Sequence, residues 1–262
     1  MKPVRLGSYG DPFAIPPHIW GDLFKPQPKG LKWFVPKKTL GYVLFEGVSH
    51  LGPDPIVVIA NTFQVASNNE KIGDMIQVWI MLRDIAPQKA AKVFGLAKSV
   101  CGNCAYRHDK GGLCYVTLFR APRAIWEAYQ LNKYSRDPNG ISIVANAIQN
   151  FGHTSYSESA IRFLNSKDPT LKEHALNVAK KSMLSAKSKK ESLRLNALGF
   201  KTFRPVENIE DLLAHENLCA ADRLGLTCRE CMQCHGVDAD QSHGVIVHGT
   251  KKNGLTQIGG SR

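Results

Sequence analysis

Seven cysteines fall into two groups, and none lies outside them. Cys101, Cys104 and Cys114 follow C-x2-C-x9-C within "CGNCAYRHDKGGLC". Cys219, Cys228, Cys231 and Cys234 follow C-x8-C-x2-C-x2-C, closing on "CRECMQCHG". Two-residue spacing lets neighbouring thiolates converge from one tight loop onto a single ion or cluster, and four thiolates complete a tetrahedral zinc site or a four-iron cluster. Zinc ribbons pair two C-x2-C units, whereas the consecutive run of the second group is closer to iron–sulfur ligation. His235 beside Cys234 is either a substitute ligand or a histidine on a surface loop. The first group has only three thiols. A four-iron cluster held by three keeps one iron open, and an open coordination position is where chemistry can occur. The alternatives are a structural zinc site completed by His108 as Cys3His, or no metal at all. The loop also carries Arg107, Asp109 and Lys110, and its glycine pair, Gly111-Gly112, lets the backbone approach a cluster or ligand closely.

The elements that must position these groups alternate between strand and helix patterns. "VRLGSYGD" (residues 4–11) predicts a short buried strand ending in a turn, and "IPPHIWGDLF" a helix start with proline in its first turn. "KPQPKGLKWFVPKK" is a connector and "GYVLFEG" an edge strand. "PIVVIANTF" (55–63) is a continuous apolar run of the buried parallel kind. "IQVWIML" predicts a strand, "APQKAAKVFGLAKSV" one helix before the first cysteine group, and "RAPRAIWEAYQLNKY" an amphipathic helix. Strand, helix, strand follow over "SMLSA", "KSKKESLRLNALG" (Gly199 at the helix C′ position) and "KTFRPV", then a last strand at "GVIVHG" (244–249). The expected fold is α/β, a partial or complete parallel β/α barrel with two cysteine-rich metal-binding loops. Residues 1–250 form one barrel-like domain, with 219–236 inserted as its C-terminal cysteine-rich segment and 251–262 as a flexible tail.

In such folds the strand ends line the ligand crevice. Asp11, His153 and Tyr156 sit at candidate strand ends and are the catalytic candidates; Asp11 could equally cap the next helix. Arg5 and Lys187 are cofactor-binding candidates beside the first cysteine loop, and Arg204 and His248 end two further strands. Asn68 and Lys71 follow the apolar run in "SNNEKIGDM", where they could meet an anionic ligand or simply an exposed loop's solvent.

Composition narrows the function. The chain has 262 residues and a net charge of +12, which raises nucleic acid or a nucleotide as partner, general solubility being the plainer explanation. No window long and apolar enough for a membrane span appears, so no membrane association is expected. The start "MKPVRLGSYGDPF" lacks a signal-peptide core, which together with clustered cysteines favours a reducing, cytoplasmic setting and metal over disulfides. Walker, G-x-G-x-x-G, G-x-S-x-G and H-E-x-x-H motifs are absent, so nucleotide hydrolysis and serine-hydrolase chemistry have no support.

Taken together, "VCGNCAYR…GGLCYV", "RAIWEAYQ", "VRLGSYGDP…IPPHIW", "HTSYS", "SMLSA…LRLNALGFKTFRP" and "LCAADRLGLTCRECMQCHG…GVIVHGTKK" resemble a group of uncharacterised phage and prophage proteins, known mostly as domains of unknown function. The resemblance spans residues 56–252 and the N-terminal segment. In those proteins the "RLGSYGDP" segment follows the cysteine loop, whereas here it precedes it. The layout is also similar to that of radical SAM enzymes, with three cysteines after an early strand and a C-terminal auxiliary cluster. Their spacing is C-x3-C-x2-C, from which this loop departs. The resemblance implies a phage-type iron–sulfur protein in an infected or prophage-bearing cell, holding one or two 4Fe–4S clusters and S-adenosylmethionine, and acting on a nucleotide or nucleic acid. The alternative is a zinc-stabilised, non-catalytic nucleic-acid-binding protein.

Overall fold

Strand β1 (Lys2–Tyr9) lies inside a sheet, flanked on both sides by parallel partners. The computed structural model describes residues 2–24, 39–61, 72–112, 114, 116–152, 154–234 and 239–247, with side chains described outside 2–3 and 146–158. Helix α1 (Pro17–Phe24) is followed by strands β2 (Gly41–Val48), β3 (Pro55–Asn61) and β4 (Ile76–Leu82). The single-turn helices α2 (Pro87–Ala90) and α3 (Lys98–Cys101) precede α4 (Ala121–Gln130) and α5 (Gly140–Ala147). Then come β5 (Ile148–Gly152), β6 (Thr154–Tyr156), α6 (Ser157–Leu164), α7 (Pro169–Lys181), β7 (Met183–Ser185), α8 (Lys189–Ala197) and β8 (Thr202–Val206). The described chain closes with β9 (Glu216–Leu218), α9 (Ala220–Leu224), α10 (Cys228–Cys231) and β10 (Ser242–Ile246).

Among the described residues two five-stranded sheets result, ordered β2-β3-β4-β1-β5 and β6-β7-β8-β10-β9. Every pairing in the second sheet is parallel, as the alternation of strands and helices predicts. The first sheet is mixed, because β3 runs antiparallel to both β2 and β4. The parallel direction expected for "PIVVIANTF" is therefore corrected. Its apolar run reports burial on both faces, which Ile56 to Ala60 have, and says nothing about direction; the short 49–54 turn back to β2 sets that. The single helix expected over 86–100 is also corrected, to α2 and α3. Gly95, at φ +86°, breaks the path between them and donates its amide to the Asp109 carboxylate at 2.8 Å.

The core runs from the sheets into the covering helices. Val4, Leu6, Ile56, Ile59, Ile76 and Ile80 are fully buried, as are Phe13, Val178 and Leu195 from flanking elements. Around His174 of α7 the rings of Phe13, Phe163 and Trp20 stand with centroids 5.6, 5.8 and 6.3 Å away. That imidazole is 2% exposed and neither ring nitrogen has a hydrogen-bond partner. Burial is the main reason its pKa falls to about 3, with a smaller push from His50. In the parallel sheet, Arg204 of β8 makes a bidentate pair with Glu216 of β9, Nε to Oε1 at 2.9 Å and Nη2 to Oε2 at 2.5 Å. Their side chains are 5% and 0% exposed. The Ser192 hydroxyl (2.7 Å) and the Leu213 amide (3.0 Å) also donate to Glu216. Burial alone would raise the Glu216 pKa; these donors outweigh it and hold the carboxyl below its ordinary range. Arg204 thus commits its guanidinium to the inside of the fold.

Among the described residues no helix is long and apolar enough to cross a membrane.

Candidate cysteine centres

Helix α3 ends at Cys101 and hands the chain to the first cysteine loop through Gly102, whose φ of +55° favours glycine. A Cβ at Gly102 would also come within 3.0 Å of the Ser159 hydroxyl. The loop is held by its own buried ion pair. Arg107 reaches Asp109 through Nε to Oδ1 at 2.9 Å and Nη2 to Oδ2 at 2.6 Å, and its Nη1 donates to the Gly102 carbonyl at 2.5 Å. Their side chains are 3% and 0% exposed. Burial pushes the Asp109 pKa up, but the donors from Arg107 and the Gly95 amide prevail and keep it low. Backbone bonds complete the loop. The Cys104 amide donates to Cys101 at 3.1 Å, Gly112 to Arg107 at 2.9 Å, and Cys114 to Tyr106 at 2.9 Å. The close backbone approach expected at the glycine pair exists, but its object is the loop itself, since a methyl group at Gly112 would collide with the Arg107 carbonyl.

This loop rests on the C-terminal ends of parallel strands. The Asp11 amide, two residues beyond β1, donates to the Val100 carbonyl at 2.8 Å. The Asp11 carboxylate accepts from the Phe13 amide at 3.1 Å, capping the short 3-10 helix Pro12–Ala14, and from the Ser159 hydroxyl of α6 at 2.5 Å. Asp11 therefore does cap, as one expectation held, and it also stands close enough to Cys101 to oppose its ionisation. Burial raises the Cys101 pKa most, followed by Cys104, Cys114 and Asp11. Tyr9 at the end of β1 is buried too, and its pKa rises well above the ordinary value through burial, then Cys101, Cys114 and Asp109. On the far side the Tyr106 hydroxyl lies 3.5 Å from the Lys187 carbonyl, just past β7. The Tyr106 pKa is pushed up to about 12 by burial and by Cys104 and Glu191.

The second group is built on a short turn. Thr227 caps α10 in a reciprocal box with Glu230: the Glu230 amide donates to Thr227 Oγ1 at 3.2 Å and the Thr227 amide to Glu230 Oε2 at 2.8 Å. Cys228 and Cys231 occupy the two ends of that turn, and Met232 leaves it in the left-handed region at φ +53°. Cys219, at the end of β9, donates its amide to Gly244 of β10 at 2.8 Å. Burial raises the Cys234 pKa, and Cys219, Cys228 and Cys231 raise it further, with Arg5 opposing them. An Arg229–Asp74 ion pair fastens α10 to the segment before β4.

Asp11, Cys101, Cys104 and Cys114 are thus neighbours, with the Lys187 backbone at the rim. Arg5, half-buried on β1, acts instead on Cys234 of the second group. Tyr156 ends β6, and its side chain, like His153, Asn68, Lys71, His235 and His248, lies outside what is described. The His108 Nε2 is 3.0 Å from the Val116 carbonyl, so the neutral ring carries its proton there and keeps its lone pair on Nδ1. All seven cysteines are thiols without disulfides. Among the described residues no three cysteine, histidine, aspartate or glutamate side chains already converge closely enough to chelate an ion. Cys104 and Cys114, however, stand near enough to Cys101 to oppose its ionisation, as Cys219, Cys228 and Cys231 do for Cys234, and a bound cation relieves that repulsion. The donor sets therefore suit a thiophilic metal or cluster. Tyr106 and Ser159 escaped the sequence reading because both depend on contacts between distant segments. The chain matches no family model, no curated protein and no solved structure.

Proposed function

We propose that this chain is an iron–sulfur protein of the phage type, an enzyme of radical SAM-like layout whose substrate is a nucleotide or nucleic acid. Cys101, Cys104 and Cys114 would hold one four-iron cluster, and Cys219, Cys228, Cys231 and Cys234 a second. A cluster on three thiolates supplies an open iron for substrate or S-adenosylmethionine. The observation that carries the reading is the seat of the three-cysteine loop, over the ends of β1 and β7, with Asp11 and Tyr9 beside Cys101. Ligands of open α/β sheets bind at that end of the strands. Asp11 offers a carboxylate next to Cys101, and the Tyr9 hydroxyl stays protonated at neutral pH. The same reading takes the two sheets as arcs of a partial barrel, supported by the parallel run from β4 through β1 to β5 and by β6 following β5 along the chain.

A zinc-stabilised, non-catalytic nucleic-acid-binding protein is the second reading. It is favoured by the scaffold of the second group, where a capped helical turn fixes Cys228 and Cys231 as in a structural knuckle. Metal and sulfide analysis of protein purified without oxygen separates the two. The first reading expects about four irons for each cysteine group, half of them lost on Cys101→Ser with Cys104→Ser. Colourless protein holding only zinc would sink it.

A further inference from the structure

The segments that flank the first cysteine loop carry two of the most exposed aromatic rings of the described chain. Phe94 is 80% and Phe119 68% exposed. Neither position is an incidental loop tip. Phe94 adjoins Gly95, whose amide is fixed to the buried Asp109. Phe119 lies three residues beyond Val116, whose carbonyl holds His108. Adjacent residues of one loop thus tether both segments. Helix α2, just before Phe94, packs beside α4, just after Phe119. The two rings therefore stand on neighbouring supports at the border of the first cysteine loop.

Charge around them is one-sided. Residues 85–123 contain seven Lys and Arg against Asp109 alone. That carboxylate is already neutralised inside the loop by Arg107. Lys92, Lys98, Lys110 and Arg120 are exposed on the same segments, while Arg123 pairs with Glu127 at 2.6 Å. Exposed flat rings interspersed with cations, with Asp109 the sole acid of residues 85–123 and Glu127 beyond them already paired to Arg123, are a poor protein–protein core, which favours desolvated aromatics without so many lysines. They are what a single-stranded nucleic acid requires: rings on which bases stack, and cations that follow the phosphates.

We infer that the border of the first cysteine loop binds single-stranded nucleic acid, with bases stacked on Phe94 and Phe119 and phosphates neutralised by Lys92, Lys98, Lys110 and Arg120. This deepens the nucleic-acid part of the proposed function and does not depend on which metal the cysteines hold. Duplex DNA hides its base faces, so it can use only the cations.

Fluorescence anisotropy with a labelled mixed-sequence oligonucleotide tests this, in DNA, RNA and duplex arms, on the full chain. Single strands are expected to bind more tightly than duplex, and the DNA and RNA arms identify the source. Phe94→Ala with Phe119→Ala should weaken single-strand binding by roughly thirty-fold or more and leave its salt dependence unchanged. Lys92→Gln with Lys98→Gln should instead flatten the plot of log affinity against log salt by about 0.7 for each phosphate that is no longer neutralised. Both pairs are exposed, and circular dichroism checks that the variants fold. Equal binding of single strand and duplex, or an unchanged affinity in the phenylalanine variant, would overturn the inference, as would binding to anionic lipid vesicles but to no oligonucleotide. Metal content measured on the same samples keeps the outcomes apart. Colourless protein that still binds single strands sinks the iron–sulfur reading alone, and iron-loaded protein that does not bind them sinks this inference alone.

Discussion

Acidification should weaken this fold through one side chain, His174. Its imidazole is sealed among Phe13, Phe163 and Trp20 with both nitrogens unpartnered, and its pKa is depressed to about 3. In the unfolded chain it returns to about 6.5. Between these values the unfolded chain binds the extra proton and the folded one does not, so stability is complete above about pH 6.5 and falls as pH drops. The slope there is about 1.4 kcal/mol per pH unit, so lowering the pH from 6.5 to 5 should cost about 2 kcal/mol from His174 alone. The assay is urea unfolding at a series of pH values for the wild type, His174→Phe and His174→Leu. Other titrating groups largely cancel in the difference between wild type and variant. Whatever the variants lose in packing is a constant offset, so the informative quantity is the change of that difference with pH. Both variants should gain about 2 kcal/mol on the wild type across the interval. Parallel curves for all three proteins, or an NMR titration of His174 near pH 6.5 in the folded state, would refute the argument.

Removing Glu216 by Glu216→Gln strands the buried Arg204 guanidinium and should destabilise the fold by about 3–5 kcal/mol in chemical denaturation, whereas replacing both partners with apolar residues should cost clearly less. Gly112→Ala should leave the sheets intact by circular dichroism while opening the first loop, seen as faster alkylation of Cys104 and Cys114 in metal-free protein, because the added methyl group meets the Arg107 carbonyl. Thr227→Val removes the cap of α10 and should cost about 1 kcal/mol locally, read as faster amide exchange at Glu230 and Cys231 with little change at β8.

What is local was legible. Cysteine spacing marks both groups, and the cap of α10 can be read from Thr227 and Glu230 three residues apart. Strand positions such as 76–82 and 202–206 were legible because their apolar pattern needs no partner to be seen. Strand direction was not, and β3 shows why: burial on both faces looks the same in either orientation. The stretch 86–100 has helical composition, yet the Gly95 amide is drawn to a carboxylate fourteen residues away and the helix divides. The helices over 140–147, 157–164 and 169–181 left too weak a periodic signal to be delimited. The surroundings of the cysteines depend on register. Asp11 against Ser159, Arg5 acting on Cys234, and Arg229 against Asp74 each join segments that only the folded sheets bring together.

The inner position of β1 has a consequence during synthesis. Its pairing edges are filled by β4 and β5, and β4 ends at Leu82. At 5–20 residues per second, roughly seventy further residues take the ribosome about 4–15 s, and β5 later still. For that interval an apolar strand, Val4 and Leu6 included, has left the exit tunnel with both backbone edges open. Chaperone capture of the nascent chain, or strand exchange between neighbouring chains on a polysome, would begin there, at a segment that is among the best protected once the sheet has closed.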